Sequence, residues 1–439
     1  MKARHRTMLA VAAAAIAIAA PGAAWARDVV IHAGTLIDGV SDRPRRQVSI
    51  VIHDERIVAV TPGFVTPAGA EVIDLSRKTV LPGLIDTHVH LTLQIGQMQQ
   101  QLAAVTRTAY DRTLDGVAYA RITLMAGFTS VRDLGGYTPA IVALKKAQQA
   151  GTIVGPRMWV SGSPLGPTGG HADLANGFDP ALTKAEWNDG IVDGPEQAAR
   201  KVRALHRDGA DLVKIMPSGG VASVGDDPQA QLMTDAEIKA VVDTAHTLHM
   251  KVAAHAHGTK AIDAAATLRV DSIEHGTYAD EGSYRIMKAN GVYMVPTLIA
   301  GATVVDYARR HPELLSPSVA AKALQVGPLM SRNAYESWKA GVRVAFGTDA
   351  GVYPHGRNAG EFALMNQAGI PMMATIQSAT SVAADLIGDP ADIGSIQPGR
   401  YADVVATDSD PLQDNTALQR IDFVMQGGQV MKRDNRPVL

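Results

Sequence analysis

The sequence predicts an α/β protein: a (β/α)8 TIM barrel with a small β-sandwich domain built from both chain ends. Three observations predict it. Eight short apolar runs alternate with helical stretches, the pattern of a parallel sheet wrapped by helices, and eight such units close a barrel. Both ends of the chain instead carry β-branched runs broken by turn residues, and the ends of a domain usually lie close together. A length of 439 residues exceeds what one core usually spans, which leaves room for a barrel and an accessory domain.

At the start, Lys2, Arg4 and Arg6 precede an apolar run from Met8 to Ala20, followed by Ala24-Trp25-Ala26. This order predicts a signal peptide over residues 1–26, cut after Ala26. The run is short for a bilayer span, so a secreted, periplasmic protein with no stable membrane insertion after cleavage is expected. Without cysteine there is neither a disulfide framework nor a lipid-modifiable residue at the cut. Asp28 to Ile37 and Gln47 to Val60, broken by Gly39, Pro44 and Asp54-Glu55, read as hairpin strands. Ala402 to Thr407 and Ile421 to Met431 repeat that character after Gly394, Pro398 and Gly399. Residues 27–81 and 391–439 are therefore expected to form the sandwich, and residues 82–390 the barrel.

The eight barrel strands are Leu84 to His90, Thr129 to Leu134, Arg157 to Ser161, Asp211 to Met216, Lys251 to His255, Asp271 to His275, Tyr293 to Thr297 and Arg343 to Thr348. Between two of them, Thr234 to His249 reads as a helix. Thr234 and Glu237 make a capping box, and Ile238, Val241, Val242, Ala245 and Leu248 share one face. Asp193-Gly194-Pro195-Glu196 and Gly209 bracket another. Lys+Arg total 41 against 43 Asp+Glu, a formal net charge of −2, with no basic stripe to track a phosphate backbone. A nucleic-acid partner is not expected; a small molecule is.

Several strands end on residues that do not belong buried alone. In Leu84-Ile85-Asp86-Thr87-His88-Val89-His90, alternation puts His88 and His90 on one face at the C-terminal end of the strand, which is the active-site end of a barrel. His255 ends the fifth strand, His275 the sixth, and Asp349 follows the eighth. Four imidazoles and a carboxylate at one mouth would be costly without a cation between them, and an imidazole-rich set suits zinc best, with manganese, cobalt, nickel or iron as substitutes. Lys214 lies inside the apolar run Leu212-Val213-Lys214-Ile215-Met216, where burial lowers the pKa of an amine. A neutral amine takes up carbon dioxide as a carbamate, whose two oxygens bridge two cations. The competing readings are a lysine held in an ion pair at the mouth and a Schiff-base lysine.

Leu81-Pro82-Gly83-Leu84-Ile85-Asp86-Thr87-His88-Val89-His90, Val131-Arg132-Asp133-Leu134-Gly135-Gly136 and Gly347-Thr348-Asp349 together resemble the amidohydrolase superfamily. The similarity is to its binuclear-metal branch of Xaa-Pro dipeptidases, arginine or lysine carboxypeptidases and ochratoxin-hydrolysing amidases. That resemblance, covering nearly the whole mature chain, implies that His88, His90 and Asp349 hold one metal and His255 and His275 the other, with carboxylated Lys214 bridging. In Ala253-Ala254-His255-Ala256-His257-Gly258 both histidines fall on one face; His255 lies deeper and matches the family ligand, leaving His257 to meet substrate. His171, in the Gly/Pro-rich loop after the third strand, resembles a second substrate-facing histidine. A large homo-oligomer, an octamer, is also implied.

A hydroxide bridging two cations is the expected nucleophile, with Asp349 as general base and acid and with Tyr278 or His257 polarising the scissile carbonyl. His355 and Arg357, in the loop after the eighth strand, are candidates for a substrate carboxylate, against the plainer reading of solvated loop residues. The expected reaction releases a C-terminal amino acid from a dipeptide or an N-acyl amino acid of the ochratoxin type. The alternatives are a cyclic-amide or imidazolone hydrolase or deaminase, and a non-catalytic exported binding protein.

Overall fold

β1 (Asp28–Leu36), β2 (Arg45–His53) and β3 (Arg56–Pro62) form the antiparallel hairpins expected near the start. The computed structural model describes residues 28–94 and 105–438, and all counts refer to these; the leader expected over 1–26 lies outside them. β4 (Glu71–Pro82) was not foreseen. Its polar stretch Asp74-Leu75-Ser76-Arg77-Lys78 hides the alternation of a half-buried strand. β4 pairs in parallel with β1 through a register shift between Ala33 and Thr35. Gly34 sits in that shift because a Cβ there would lie 2.2 Å from the Ser76 carbonyl oxygen.

β4 runs into β5 (Leu84–Val89) with only Gly83 between them. Parallel strands then alternate with helices: α1 (Ala109–Met125), β6 (Phe128–Asp133), α2 (Thr138–Gln149), β7 (Arg157–Val160), α3 (Pro195–Asp208), β8 (Leu212–Ile215), α4 (Asp235–Thr247), β9 (Lys251–Ala256), α5 (Thr259–Thr267), β10 (Ser272–His275), α6 (Glu281–Asn290) and β11 (Tyr293–Val295). α7 (Leu298–Arg310), α8 (Pro317–Lys339), α9 (Gly360–Gln367), α10 (Met372–Ser378) and α11 (Ser381–Ile387) follow. The predicted caps are present. Thr234 and Glu237 close a capping box on α4, and Gly209 ends α3 at φ +104°.

Among the described residues the parallel strands form two ladders, β5-β6-β7 and β8-β9-β10-β11. Asp211 N donates to Val160 O at 2.8 Å and Leu165 N to Lys214 O at 2.8 Å, joining β7 to β8. The eighth run, expected as a strand over Arg343 to Thr348, is instead reduced to isolated bridges of Val344 with Met294 and Ala350 with Val89. Two causes are visible. Thr348 N is shared between the Asp86 side chain at 3.1 Å and the His88 carbonyl at 3.3 Å, and Asp349 turns the chain at φ +60°. Thr87 N still reaches Phe346 O at 2.9 Å and Ala345 N reaches Met294 O at 2.9 Å, so this segment lies between β11 and β5.

β12 (Val404–Thr407), β13 (Phe423–Gln426), β14 (Gln429–Arg433) and β15 (Arg436–Pro437) bring the C-terminal flank onto β4. One mixed sheet results, in the order β15-β14-β13-β12-β4-β1-β2-β3. Its buried face gathers Ile31, Ile50, Ile52, Val80, Val404, Phe423 and Met425 around one core, separate from the larger core of the parallel strands and helices. Ile57 N donates to Arg400 O at 2.9 Å, bringing β3 back to the segment before β12. Tyr401 joins this part to the parallel strands, its ring lying between the guanidinium groups of Arg56 (3.6 Å) and Arg157 (4.0 Å). No described helix is long and apolar enough to cross a membrane.

Candidate metal centre

Two groups of potential ligands stand at the C-terminal ends of the parallel strands. His88, His90 and Asp349 form one and His255, His257 and His275 the other, with donor atoms of each group within 4.8 Å of one another. The groups adjoin: the ring centroids of His88 and His275 are 5.3 Å apart. Asp349 Oδ1 lies 3.0 Å from His90 Nε2 and 3.5 Å from His88 Nε2.

Four of the five histidines have Nδ1 engaged from behind. His88 Nδ1 meets Glu274 Oε2 at 2.8 Å, His90 Nδ1 the Gly135 carbonyl at 3.0 Å, His257 Nδ1 Thr277 Oγ1 at 2.8 Å and His275 Nδ1 Thr297 Oγ1 at 2.7 Å. Such contacts orient a ring and leave Nε2 to face the site, as metal-binding histidines require. His255 is reversed, with Nε2 3.2 Å from the Gly219 carbonyl, so Nδ1 is its remaining donor. Gly135 has to be glycine: a Cβ there would lie 2.9 Å from the His90 ring. His275 (φ +70°), Thr297 (φ +50°) and Asp349 (φ +60°) adopt left-handed backbone, which costs about 1–3 kcal/mol each and is concentrated where strands deliver their side chains.

The electrostatics favour a carboxylate anion and, except at His90, neutral imidazoles; burial lowers His90, but its hydrogen bond to Asp349 outweighs this and raises it. Burial, reinforced by Lys214, holds His88 at about 4; burial and His171 bring His257 to about 3, and burial also carries His255 and His275 well below the usual range. For Asp349, burial opposes ionisation, but His88 and His90 overcome it and keep the group far below the ordinary carboxylate value. Neutral imidazole nitrogens beside an anionic carboxylate are the donor set of a divalent transition metal, and these residues fit one. Lys214 is buried and has no hydrogen-bond partner among the described residues. Burial lowers it to about 8, despite the opposing pull of Glu274 and Asp349.

The other expected site residues divide. His171 is brought in, its ring stacked on His255 at 4.4 Å between centroids. The Tyr278 backbone is tied to His257, its N–H donating to the His257 carbonyl at 2.9 Å; its hydroxyl is buried without a hydrogen-bond partner among the described residues. His355 is buried, with Nε2 2.9 Å from the Leu93 carbonyl and its ring stacked on Tyr119 at 4.6 Å. It ties down the turn after β5. Arg357 is exposed, with no side-chain hydrogen bond or ion pair among the described residues, as for a solvated loop charge.

Sequence reasoning missed the layer beneath the ligands. Arg132 on β6 spans the interior, donating from Nε to Thr87 O (2.6 Å), from one terminal nitrogen to Ser272 Oγ (3.1 Å) and from the other to Glu274 Oε1 (2.9 Å). Glu274 in turn holds His88. Asp86 accepts from His88 N, Thr348 N, Thr348 Oγ1 and Asn358 Nδ2, tying β5 to the segment that ends in Asp349. The usable signal was opposite charges inside two apolar strands, Arg132 in Val131-Arg132 and Glu274 in Ile273-Glu274, which have to neutralise each other when buried.

The chain is similar to known proteins over most of its length. Residues 79–431 match the model of the amidohydrolase family. Ochratoxinase of Aspergillus niger is 32% identical over 93% of this chain and 87% of its own length. The crystal structure of a Xaa-Pro dipeptidase with methionine in its active site superposes with a TM-score of 0.89 at 37% identity, covering 92% of this chain and 100% of that one. A prolidase complexed with N-methylphosphonate-L-proline gives 0.85 at 32% identity over 92% and 100%. With two adjoining groups of strand-end histidines, one completed by Asp349, and the family match over residues 79–431, the chain belongs to the amidohydrolase family.

Proposed function

We propose that this protein hydrolyses an amide bond to release the C-terminal amino acid of a dipeptide or an N-acyl amino acid. The observation that carries the reading is the pair of ligand groups flanking the buried, unpartnered Lys214. His88, His90 and Asp349 would hold one divalent cation, and His255 and His275 a second, with zinc best suited to the donors. Lys214 Nζ, once deprotonated, would add to carbon dioxide and lose a second proton, and the resulting carbamate would supply anionic oxygen ligands to the cations. The metals supply Lewis acidity, polarising a carbonyl oxygen and lowering the pKa of water.

Asp349, anionic and facing the site, takes the proton of the attacking water on a carboxylate oxygen and delivers it to the leaving nitrogen. Tyr278, whose buried hydroxyl needs an acceptor, donates to the scissile carbonyl oxygen, and His257 and His171 contact the substrate. The two parallel ladders and the bridged eighth segment constitute one closed (β/α)8 barrel over residues 82–390, flanked by the β-domain of residues 27–81 and 391–439. Arg132 and His88, from one ladder, meeting Glu274 of the other supports this closure. Export through the leader and assembly into a homo-oligomer complete the proposal.

The test pairs elemental analysis with a panel of Xaa-Pro, Xaa-Arg, Xaa-Phe and N-acyl-phenylalanine compounds. About two metals per chain, one panel member cleaved to free amino acid, and loss of metal and activity in Lys214→Ala are expected. About one metal with an active Lys214→Ala, and turnover of cyclic amides instead, would overturn it.

A further inference from the structure

Resting on that reading of the site, we propose that Lys322 is a positioning residue, which acts through Asp226 and Ser223 to hold His171 in one tautomer over the centre. Lys322 projects from α8, after β11, into the loop that follows β8. Its ammonium donates to the carbonyls of Gly220 (2.7 Å), Ser223 (2.7 Å) and Asp226 (3.2 Å), and to Asp226 Oδ1 at 3.1 Å. Three carbonyls and a carboxylate around one ammonium on a helix fix a loop far more tightly than a surface ion pair does. Asp226 is nearly inaccessible, its side chain 1% exposed.

Asp226 passes this constraint inward. Ser223 Oγ lies 2.6 and 2.7 Å from the two Asp226 oxygens, and Gly220 N donates to Oδ2 at 3.1 Å. A hydroxyl has one proton, and beside a carboxylate it donates that proton there. Ser223 Oγ, 2.7 Å from His171 Nδ1, then only accepts, so His171 carries its proton on Nδ1 and presents a lone pair at Nε2. The ring is confined on its other sides by the stack on His255 and by Gly220, where a Cβ would lie 2.2 Å from the His171 ring. Elements after β7, β8 and β11 thus converge on one imidazole whose orientation and proton are both set.

Two readouts test this in the mature, zinc-loaded protein. The first is the ¹⁵N spectrum of histidine-labelled protein, with His171 assigned by the signal lost in His171→Gln. The Nδ1–H tautomer is expected in the wild type and in Ser223→Thr, and a mixed or Nε2–H signal in Ser223→Ala and Lys322→Met. The second is a double-mutant cycle on kcat/KM. Ser223→Ala and Lys322→Met each lower it about 10–100-fold alone, the range for groups that orient a site residue. In a His171→Gln background the same changes act by less than about twofold, because a shared pathway is not additive. An unchanged His171 tautomer in both variants, or equal losses in both backgrounds, would overturn the proposal. If Lys322→Met does not fold, Ser223→Ala, which removes one oxygen, decides alone. The tautomer readout needs no turnover, so absence of amidase activity would count against the proposed function and leave this inference to the spectrum.

Discussion

Glu274→Gln is the most informative single change, because it keeps a side chain's shape while removing a buried charge that two other groups depend on. Glu274 is inaccessible and Arg132 2% exposed, with Arg132 bonded to Glu274 Oε1 at 2.9 Å. Burial by itself would raise the Glu274 carboxyl, but Arg132 and the His88 hydrogen bond hold it far below its usual range. Charges about 4 Å apart attract by about 4 kcal/mol at an effective dielectric constant of ~20. Removing one partner of such a pair costs about 3–5 kcal/mol, since the other is stranded in the interior. Either Glu274→Gln or Arg132→Met should therefore lower stability by that amount in urea unfolding followed by tryptophan fluorescence. The double variant should regain roughly 1–3 kcal/mol relative to the sum of the two. Glu274→Gln should also weaken metal binding about 10–100-fold, because His88 loses the anion that orients it. Single variants within about 1 kcal/mol of wild type, or strictly additive losses, would refute the reasoning.

Asp349→Asn should fold and lower turnover by roughly two to four orders of magnitude, the contribution of a positioned acid–base group; wild-type kcat with full metal content would remove Asp349 from proton transfer. His255→Asn should lose about one metal per chain, whereas His257→Asn should retain both and raise KM or lower kcat; the reverse pattern by elemental analysis would exchange the two roles. His246, at the end of α4, is raised above 6.5 by its hydrogen bond to Asp271 at 3.0 Å, against opposing burial. Its contribution is fully present below pH 6.5 and is lost as pH rises through the raised folded value. The pair is partly exposed, so less than about 1 kcal/mol is involved, and His246→Gln should flatten that part of the stability-versus-pH curve measured by urea midpoint. A wild-type curve indistinguishable from the variant's across that interval would show that the pair contributes nothing.

Most of the parallel strands and the clustering of the candidate ligands were legible because each rests on a local pattern. Leu84 to His90 alternates cleanly, the Thr234/Glu237 box marks a helix start wherever it occurs, and His255, His275 and Asp349 each interrupt an apolar run. What escaped depends on partners distant in sequence. β4 is a strand because β1 and β12 flank it, so Asp74 to Lys78 can be polar and still lie in a sheet. Arg132 and Glu274 make sense only as a pair 142 positions apart. Alternation placed His257 on the ligand face beside His255, and both do stand with His275, but alternation carries no information about which ring nitrogen is held from behind. His355 reads from its loop position as a candidate for a substrate carboxylate or a solvated residue, yet its ring is stacked and its Nε2 occupied by a carbonyl just past His90.

The run of β4 into β5 through Gly83 has a consequence for how the protein is made. A Cβ on Gly83 would lie 2.1 Å from Thr129 Oγ1, so the chain passes this point as a nearly direct line from the β-domain to His88. Yet β4 finds its second neighbour only in β12, more than 320 residues further along, where Val404 pairs with Pro82. Contacts of such separation form late, after the loops they close have been ordered. The second neighbour of the strand that leads into His88 and His90 thus comes from far downstream in the chain. A chain truncated before Val404 would hold every candidate ligand and lack the strand that pairs with β4, so the run that carries His88 and His90 is expected to lose order in it.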